Sequence, residues 1–429
     1  MNLAGEIERI TSLVPGASYG DPNVALVGSG SFASAFNVDK AAFTAAALAN
    51  LAFGVTEVDR ARVVALFSCA VELDGKPVPA WADLSGYYTT SDGGTMQLHC
   101  NFPHHAAGVV ARLGCEPTKQ AVQAAILKFD ADQLESELIA DGMIAAKLRT
   151  FDEWQSHPHA IATTDLPLIS VERLGDAPPR NAGRRLRVLD CSRVLAGPVA
   201  GMTFSAHGAD VLLVGSPNLP SVEIGVLATG FGKRNSFVDL ETEVGRSDFT
   251  RLLESSDVWI DSYRPGAFAD RGFGGDHYPP GSVSVELSAF DWDGPWAGRR
   301  GFDSIVQTTT GIVEAGSRMS GIKSAVPLPV QALDFCTGLL AAFAARRLVA
   351  HQAEHGGTWR ARLSLLCTRN WLVSLGEPKP FVPAKLEVAE AARHTVASPF
   401  GQVTAARPIG GEWTSGPQHL GSSPPEWLE

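Results

Sequence analysis

The chain has 429 residues, 45% of them hydrophobic, and a formal net charge of −11. That length supports two or three domains, each able to bury a core. The acidic balance argues against nucleic acid as a partner, so an anionic ligand would have to meet local clusters of Arg and Lys.

The N-terminal MNLAGEIERITSLVPG is a short amphipathic helix carrying acids. It lacks the basic and apolar regions of a signal peptide, and the apolar runs near 41–53 and 338–350 are too short to span a bilayer. Six scattered cysteines show no metal or disulfide spacing and read as reduced thiols. The expectation is a cytoplasmic protein with no metal and no membrane partner. A Gly/Ser-rich loop, VGSGSFASAF, closes a first segment, 1–36. Residues 38–53 are Ala-rich with helical periodicity, and RVVALFSCAVEL (62–73) reads as a strand from its β-branched start. GYYTTSDGGTMQLHCN (86–101) reads as a hairpin about Asp-Gly-Gly. Residues 104–160 are mostly helical, with Thr150 and Glu153 spaced as a capping box. These elements make a small α+β unit, 37–171, followed by a Pro-containing linker, 172–184.

From 185 the texture changes. RLRVLDC, DVLLVG, NSFVDL, DVWIDSY and GSVSVELSAF read as strands, with VAGMTFSAHGA and GRSDFTRLLESS as helices between them. Strand–helix alternation implies a doubly wound parallel sheet over 185–375, with the ligand crevice at the strands' C-terminal ends. Those ends are the loops 193–201, 215–234, 261–271 and 288–303. Residues 376–429 form a C-terminal return segment. The run 37–73 also resembles 332–372, placing Asp39 on Asp334 and Cys69 on Cys367, in each case as Asp, Ala-rich helix, then Arg-x-Arg leading a Cys-containing strand.

Several motifs fail on inspection. ATGFGKRNS (228–236) is no P-loop, since Leu227 and Arg234 stand where Gly and Ser/Thr are needed. GSGSF (28–32) is no nucleophile elbow. His104–His105 and His157–His159 have no partner at ligand spacing and read as surface residues. DSYRPGAFADRGFG (261–274) puts Arg264 and Arg271 at the expected crevice. Asp334, the one acid in PVQALDFCTGLLAAFAARR, either caps a buried helix or does chemistry.

In order, RVLDCSRVLAGPVAGMTFSAHGADVLLV, GKRNSFVDL, SYRPGAFADRGFG, FDWDGPWAGRRGFDSIVQTTTGIVEAGS and VPLPVQALDFCTGLLAAFAARR resemble the class III CoA-transferase family. That family includes formyl-CoA and carnitine CoA-transferases and alpha-methylacyl-CoA racemase. The resemblance implies a Rossmann-like CoA-binding domain plus a smaller α+β domain, with coenzyme A as substrate and product. It implies CoA contacts at Val194, Leu195, Ala196, Lys233, Arg234, Ser262, Tyr263, Arg264, Arg271 and Arg300, and a catalytic aspartate at Asp334. The small-domain stretches (YYTTSDGGTMQLHCNFPHHAAGVVARLG and TFDEWQSHPHA) precede the Rossmann part here, so the order reads as permuted. Family members form interlocked dimers, which implies a homodimer.

The resemblance also implies the reaction. CoA passes from an acyl-CoA to a carboxylic acid through an aspartyl anhydride and thioester, with Asp334 held ionised by the positive end of its helix. The family's racemases carry His where Phe302 stands, which favours transfer. Gly215 and Glu241 depart from the usual acid and Lys of the CoA site. Two alternatives stay open: an acyl-CoA racemase using another base, and a non-catalytic CoA-binding protein.

Overall fold

The computed structural model describes residues 1–16, 24–180, 183–274 and 278–428. Helix α1 (Ala4–Thr11) lies on α2 (Val38–Ala52), the Ala-rich helix. Two three-residue strands, β1 (Ala25–Val27) and β2 (Glu57–Asp59), flank α2 and pair in parallel. The stretch expected as a strand over 62–73 is instead helix α3 (Arg60–Ser68), and only its end extends into β3 (Glu72–Leu73). Asp59 caps α3 by accepting the Ala61 N–H at 2.9 Å. Val63, Val64 and Phe67 then share one helical face, and that burial overrides the β-propensity of the valines. Strand β4 (Lys76–Pro77) completes a hairpin with β3.

Residues 84–145 carry a core of their own. The expected hairpin is present as β5 (Gly86–Thr89) and β6 (Thr95–Leu98). Helices α4 (Pro103–Leu113), α5 (Lys119–Ile126) and α6 (Ala131–Ala140) pack beside it, and β7 (Ala145–Lys147) adds a third strand. Two short helices follow, α7 (Phe151–Gln155) and α8 (Pro158–Ala162). The capping box holds: Thr150 Oγ1 accepts the Glu153 N–H at 3.2 Å and Glu153 accepts the Thr150 N–H at 2.7 Å.

The linker expected over 172–184 begins inside a strand, β8 (Ser170–Gly175); residues 181–182 lie outside the described residues. Its SVERLG sequence has two apolar residues and sits at a sheet edge, so alternation there is weak. The large sheet continues with β9 (Arg187–Cys191), α9 (Ala196–Ala206), β10 (Asp210–Gly215), α10 (Glu223–Thr229) and β11 (Arg234–Phe237). Then come α11 (Glu243–Glu254), β12 (Val258–Asp261), β13 (Val283–Ser288), α12 (Asp303–Thr309) and α13 (Ile312–Ser320). The 24-residue α14 (Ala332–His355), β14 (Thr358–Ser364) and α15 (Leu365–Ser374) complete this part. The seven strands run β11-β10-β9-β12-β13-β14-β8, all parallel except β8. Numbered from β9, this is the doubly wound order 3-2-1-4-5-6, whose switch point lies between β9 and β12.

Helix α14 is apolar on nearly all faces because it is wrapped by α2, α9, α15 and the sheet. The two similar segments share an outline: α2-β2-α3 matches α14-β14-α15, and α2 packs on α14. In neither does the cysteine lie on a strand. Cys69 ends α3 and Cys367 begins α15. Strands β15 (Arg393–Ser398) and β16 (Gly401–Ala406) join β3 and β4 in a four-stranded sheet. The chain then runs along β11: the Ser423 N–H reaches the Asn235 carbonyl (2.8 Å) and the Leu428 N–H reaches Asp210 (2.8 Å). No described helix is long and apolar enough to cross a membrane.

Candidate active site

A cavity of about 360 Å³ opens at the switch point. From the large sheet it takes Arg193 to Gly197 after β9, Ser262 to Pro265 after β12, Ser288 and Ala289 at the end of β13, and Asp334. From the N-terminal half it takes Phe102, His104, His105 and Ile144. Leu219 and Tyr263 link it to two smaller hollows along the ends of β10 and β11, the outer of which includes Gly215, Glu241 and Arg271. The whole forms a groove along the C-terminal edge of the sheet.

The turn after β9 is strained. Val194 has φ +73°, a region β-branched residues seldom adopt. The turn is packed too tightly for alternatives. A Cβ on Gly197 would lie 2.3 Å from the Ser192 Cβ, and one on Gly225 would lie 3.1 Å from the Val194 carbonyl oxygen. The Ser262 hydroxyl accepts the Arg193 N–H at 3.2 Å, tying the two loops across the switch point.

Asp334 is the third residue of α14, and 7% of it is exposed, at the cavity wall. It does not cap its helix. Among the described residues none donates a hydrogen bond to its carboxyl. The capping acid is Asp303, which is fully buried and accepts the Asp334 N–H at 2.9 Å. Asp303 also accepts from the Leu333 backbone N–H and the Gln307 amide. The helix end that was expected to hold Asp334 ionised is therefore already occupied. Burial, and then the Asp303 charge, push the Asp334 carboxyl well above the usual range. Asp303, also buried, is raised to about 7 despite its three donors.

The expected CoA contacts divide. Val194, Leu195, Ala196, Ser262, Tyr263, Arg264 and Arg300 all line the main cavity. The Arg264 side chain is exposed and makes no hydrogen bond among the described residues. Arg300 donates to the Gly142 carbonyl at 3.2 Å. Arg271 lines the outer hollow beside Glu241, 3.5 Å away. Lys233 and Arg234 are elsewhere. Lys233 is 1% exposed, and its Nζ donates to Asp190 and to the Pro198 carbonyl, each at 2.7 Å. It braces the turn from behind. Arg234 starts β11 and forms a two-oxygen pair with Asp210, the first residue of β10. Both lie at the N-terminal ends of parallel strands, across the sheet from the crevice.

Of the histidines read as surface residues, His104 is exposed and His157 partly so, whereas His105 and His159 are buried. His105 is 5% exposed and lines the cavity with His104. His159 is fully buried: its Nε2 donates to the Phe290 carbonyl (2.8 Å) and its Nδ1 accepts the Trp296 N–H (3.2 Å). Arg193 and Phe102 were not singled out from sequence. Arg193 lies 4.8 Å over the Phe102 ring, and Phe102 stacks on Phe302 at 6.1 Å. Their only sequence signal was position, Arg193 in the loop after the first strand.

Comparison with known proteins bears on the same region. Residues 184–375 match the model of CoA-transferase family III. An acetyl-coenzyme A transferase of Hypoxylon pulicicidum is 30% identical, over 51% of this chain and 36% of its own. A probable fatty acyl-CoA transferase of Mycobacterium tuberculosis is 31% identical, over 40% and 47%. A succinate–glutarate CoA-transferase of Agrobacterium fabrum is 25% identical, over 52% and 60%. The chain thus spans about a third to three-fifths of the length of these relatives. Among solved structures, a CAIB/BAIF family protein from Brucella suis aligns with a TM-score of 0.40 and 25% identity, over 51% of this chain and 64% of that one. Residues 184–375, which hold the switch point, the strained turn and Asp334, are thus the part of this chain that is similar to CoA-transferase family III.

Proposed function

We propose that the protein transfers CoA from an acyl-CoA to a carboxylic acid, with Asp334 as the nucleophile. The observation that carries this reading is the Asp334 carboxyl: unpartnered among the described residues, nearly buried, and facing a cavity at a switch point within the stretch similar to CoA-transferase family III. The groove fits an extended anionic thioester. It is long, apolar along Leu219 and Tyr263, and carries Arg193 and Arg264 beside the strained turn.

Asp334 first loses its proton to solvent in the cavity, and its ionised oxygen then forms a bond to the thioester carbonyl carbon as the C–S bond breaks. The product is a mixed anhydride on Asp334 and a free thiolate. Attack of that thiolate on the Asp334 carbonyl gives an aspartyl thioester and releases the first acid. The acceptor carboxylate then takes the place of the first acid and the steps run in reverse. Phe102, Phe302 and Tyr263 shield the position from water, which would hydrolyse the anhydride. A carboxyl with a raised pKa is a stronger nucleophile once ionised, so the rate should rise with pH through values above the ordinary carboxylate range.

Asp334→Ala is expected to abolish transfer and leave CoA binding, measured by calorimetry, intact. Quenching wild-type enzyme and acyl-CoA with hydroxylamine should leave a hydroxamate at residue 334, read by peptide mass spectrometry. Undiminished transfer by Asp334→Ala would overturn the reading.

A further inference from the structure

The acid at the head of α12 has no part in the steps above, yet its position is tightly specified. Asp303 Oδ2 accepts the Asp334 N–H at 2.9 Å and its other oxygen takes the Gln307 amide. Gln307 is itself fixed, since its Oε1 accepts the Leu328 N–H at 2.8 Å. One helical turn along, Thr308 donates to Gln97 of β6 at 2.6 Å, and Tyr87 of β5 meets Thr308 at 3.3 Å. The sheet of the N-terminal half thus clamps the helix that carries Asp303.

We propose that Asp303 is the positioning residue for Asp334: it takes the free N–H groups at the start of α14 for itself, and so leaves Asp334 uncapped beside a second acid. A helix start offers few unpaired N–H groups. A carboxylate that receives them is stabilised as an anion; one denied them, and set next to a like charge, is not. No Arg, Lys or His among the described residues pairs with either carboxyl. The titratable groups that feel the pair are Tyr87 from β5, Cys69 from the end of α3 and Cys336 on α14, each itself pushed up by burial. Arg369 on α15 is engaged with the Thr310 carbonyl, beyond the far end of α12. The two acids therefore titrate as a pair, with Asp303 favoured as the charged member and Asp334 as the proton holder.

The arrangement serves the proposed reaction and rests on that reading for its purpose. Ionised beside Asp303, Asp334 is destabilised by repulsion. Acylation turns its charged oxygen into a neutral one, and the repulsion disappears as the new bond forms. The interaction thus favours the transition state over the ionised ground state.

The test is Asp303→Asn, which keeps an oxygen acceptor for the Asp334 N–H and removes the charge. The acid limb of the kcat/KM–pH profile is expected to move to lower pH by about one unit or more, and the plateau to fall severalfold as the nucleophile becomes less basic. A folded variant, by Tm and circular dichroism, whose limb has not moved would make Asp303 a helix cap only and overturn the proposal. Should the variant fail to fold, the wild type decides. Infrared titration should show a protonated buried carboxyl at pH 7 that Asp334→Asn removes, and absence of that band would overturn the proposal. Hydroxamate trapping at residue 334 is read separately, so loss of the nucleophile assignment is distinguishable from loss of this one.

Discussion

Arg264 and Arg234 look alike in the sequence, each an Arg flanking a strand, and the fold gives them opposite tasks. Arg264 stands free at the crevice, while Arg234 is paired with Asp210 on the far edge of the sheet. Arg264→Gln is expected to weaken CoA binding by about tenfold, whereas Arg234→Gln leaves it unchanged in calorimetry. Lys233 makes the point more sharply. With Asp190 fully buried and Lys233 nearly so, Lys233→Met strands an anion, and urea unfolding should report a loss of about 3–5 kcal/mol. Asp334 carries a stability cost of its own. Its folded pKa, like that of Asp303 at about 7, lies above the unfolded value. The stability these acids lend is therefore present below about pH 4 and lost as pH rises through the folded values. Asp334→Asn should raise Tm over wild type at pH 8, and the gain should vanish near pH 4. Phe302 offers no proton carrier, and His99 behind it, 4.2 Å away, is held neutral by burial with a pKa of about 3. No deuterium should enter C2 of a 2-methylacyl-CoA; rapid uptake would reassign the chemistry to racemisation.

At the scale of elements, the parallel strands and Ala-rich helices were legible because their patterns are local: β-branched runs between Gly-rich turns, and apolar residues at helical spacing. What failed were elements whose identity depends on neighbours. Helix α3 begins at Arg60, and its true signal was the Asp59 cap, four residues before Val63. Strand β8 is held by β14 rather than by its own alternation. Asp334 stands out in the sequence and lines the cavity, but its partner Asp303 does not stand out, since 31 residues separate them in sequence and one hydrogen bond joins them in space. The contact of α14 with α9 was equally hidden. A Cβ on Gly338 would lie 2.4 Å from the Ala196 carbonyl oxygen and 2.9 Å from the Val199 Cβ. Gly338→Ala must push the strained turn away from the helix that carries Asp334, at a cost of roughly 1–3 kcal/mol. A fall in both Tm and kcat/KM would check it.

Over the whole molecule, the N-terminal half supplies one wall of the cavity, and a buried seam holds it there. Glu135 lies between Arg149 and Arg299, all three less than a tenth exposed, with Arg299 flat against Trp296 at 3.9 Å. Nothing in a linear reading joins residues 135 and 299, so this seam had no sequence signature. The chain's last stretch gives the large sheet a further property. A sheet of this kind ends in rows of unpaired N–H and C=O groups that invite a second molecule to add a strand. At one end β8 lies antiparallel and polar. At the other, residues 415–428 lie along β11 like a strip of weatherproofing, borrowing its hydrogen bonds without forming a strand. Cutting the chain after Gly411 would strip that seal and bare Phe231, now stacked under Trp413. The shortened protein should retain its cavity yet self-associate, visible as a concentration-dependent rise in sedimentation coefficient.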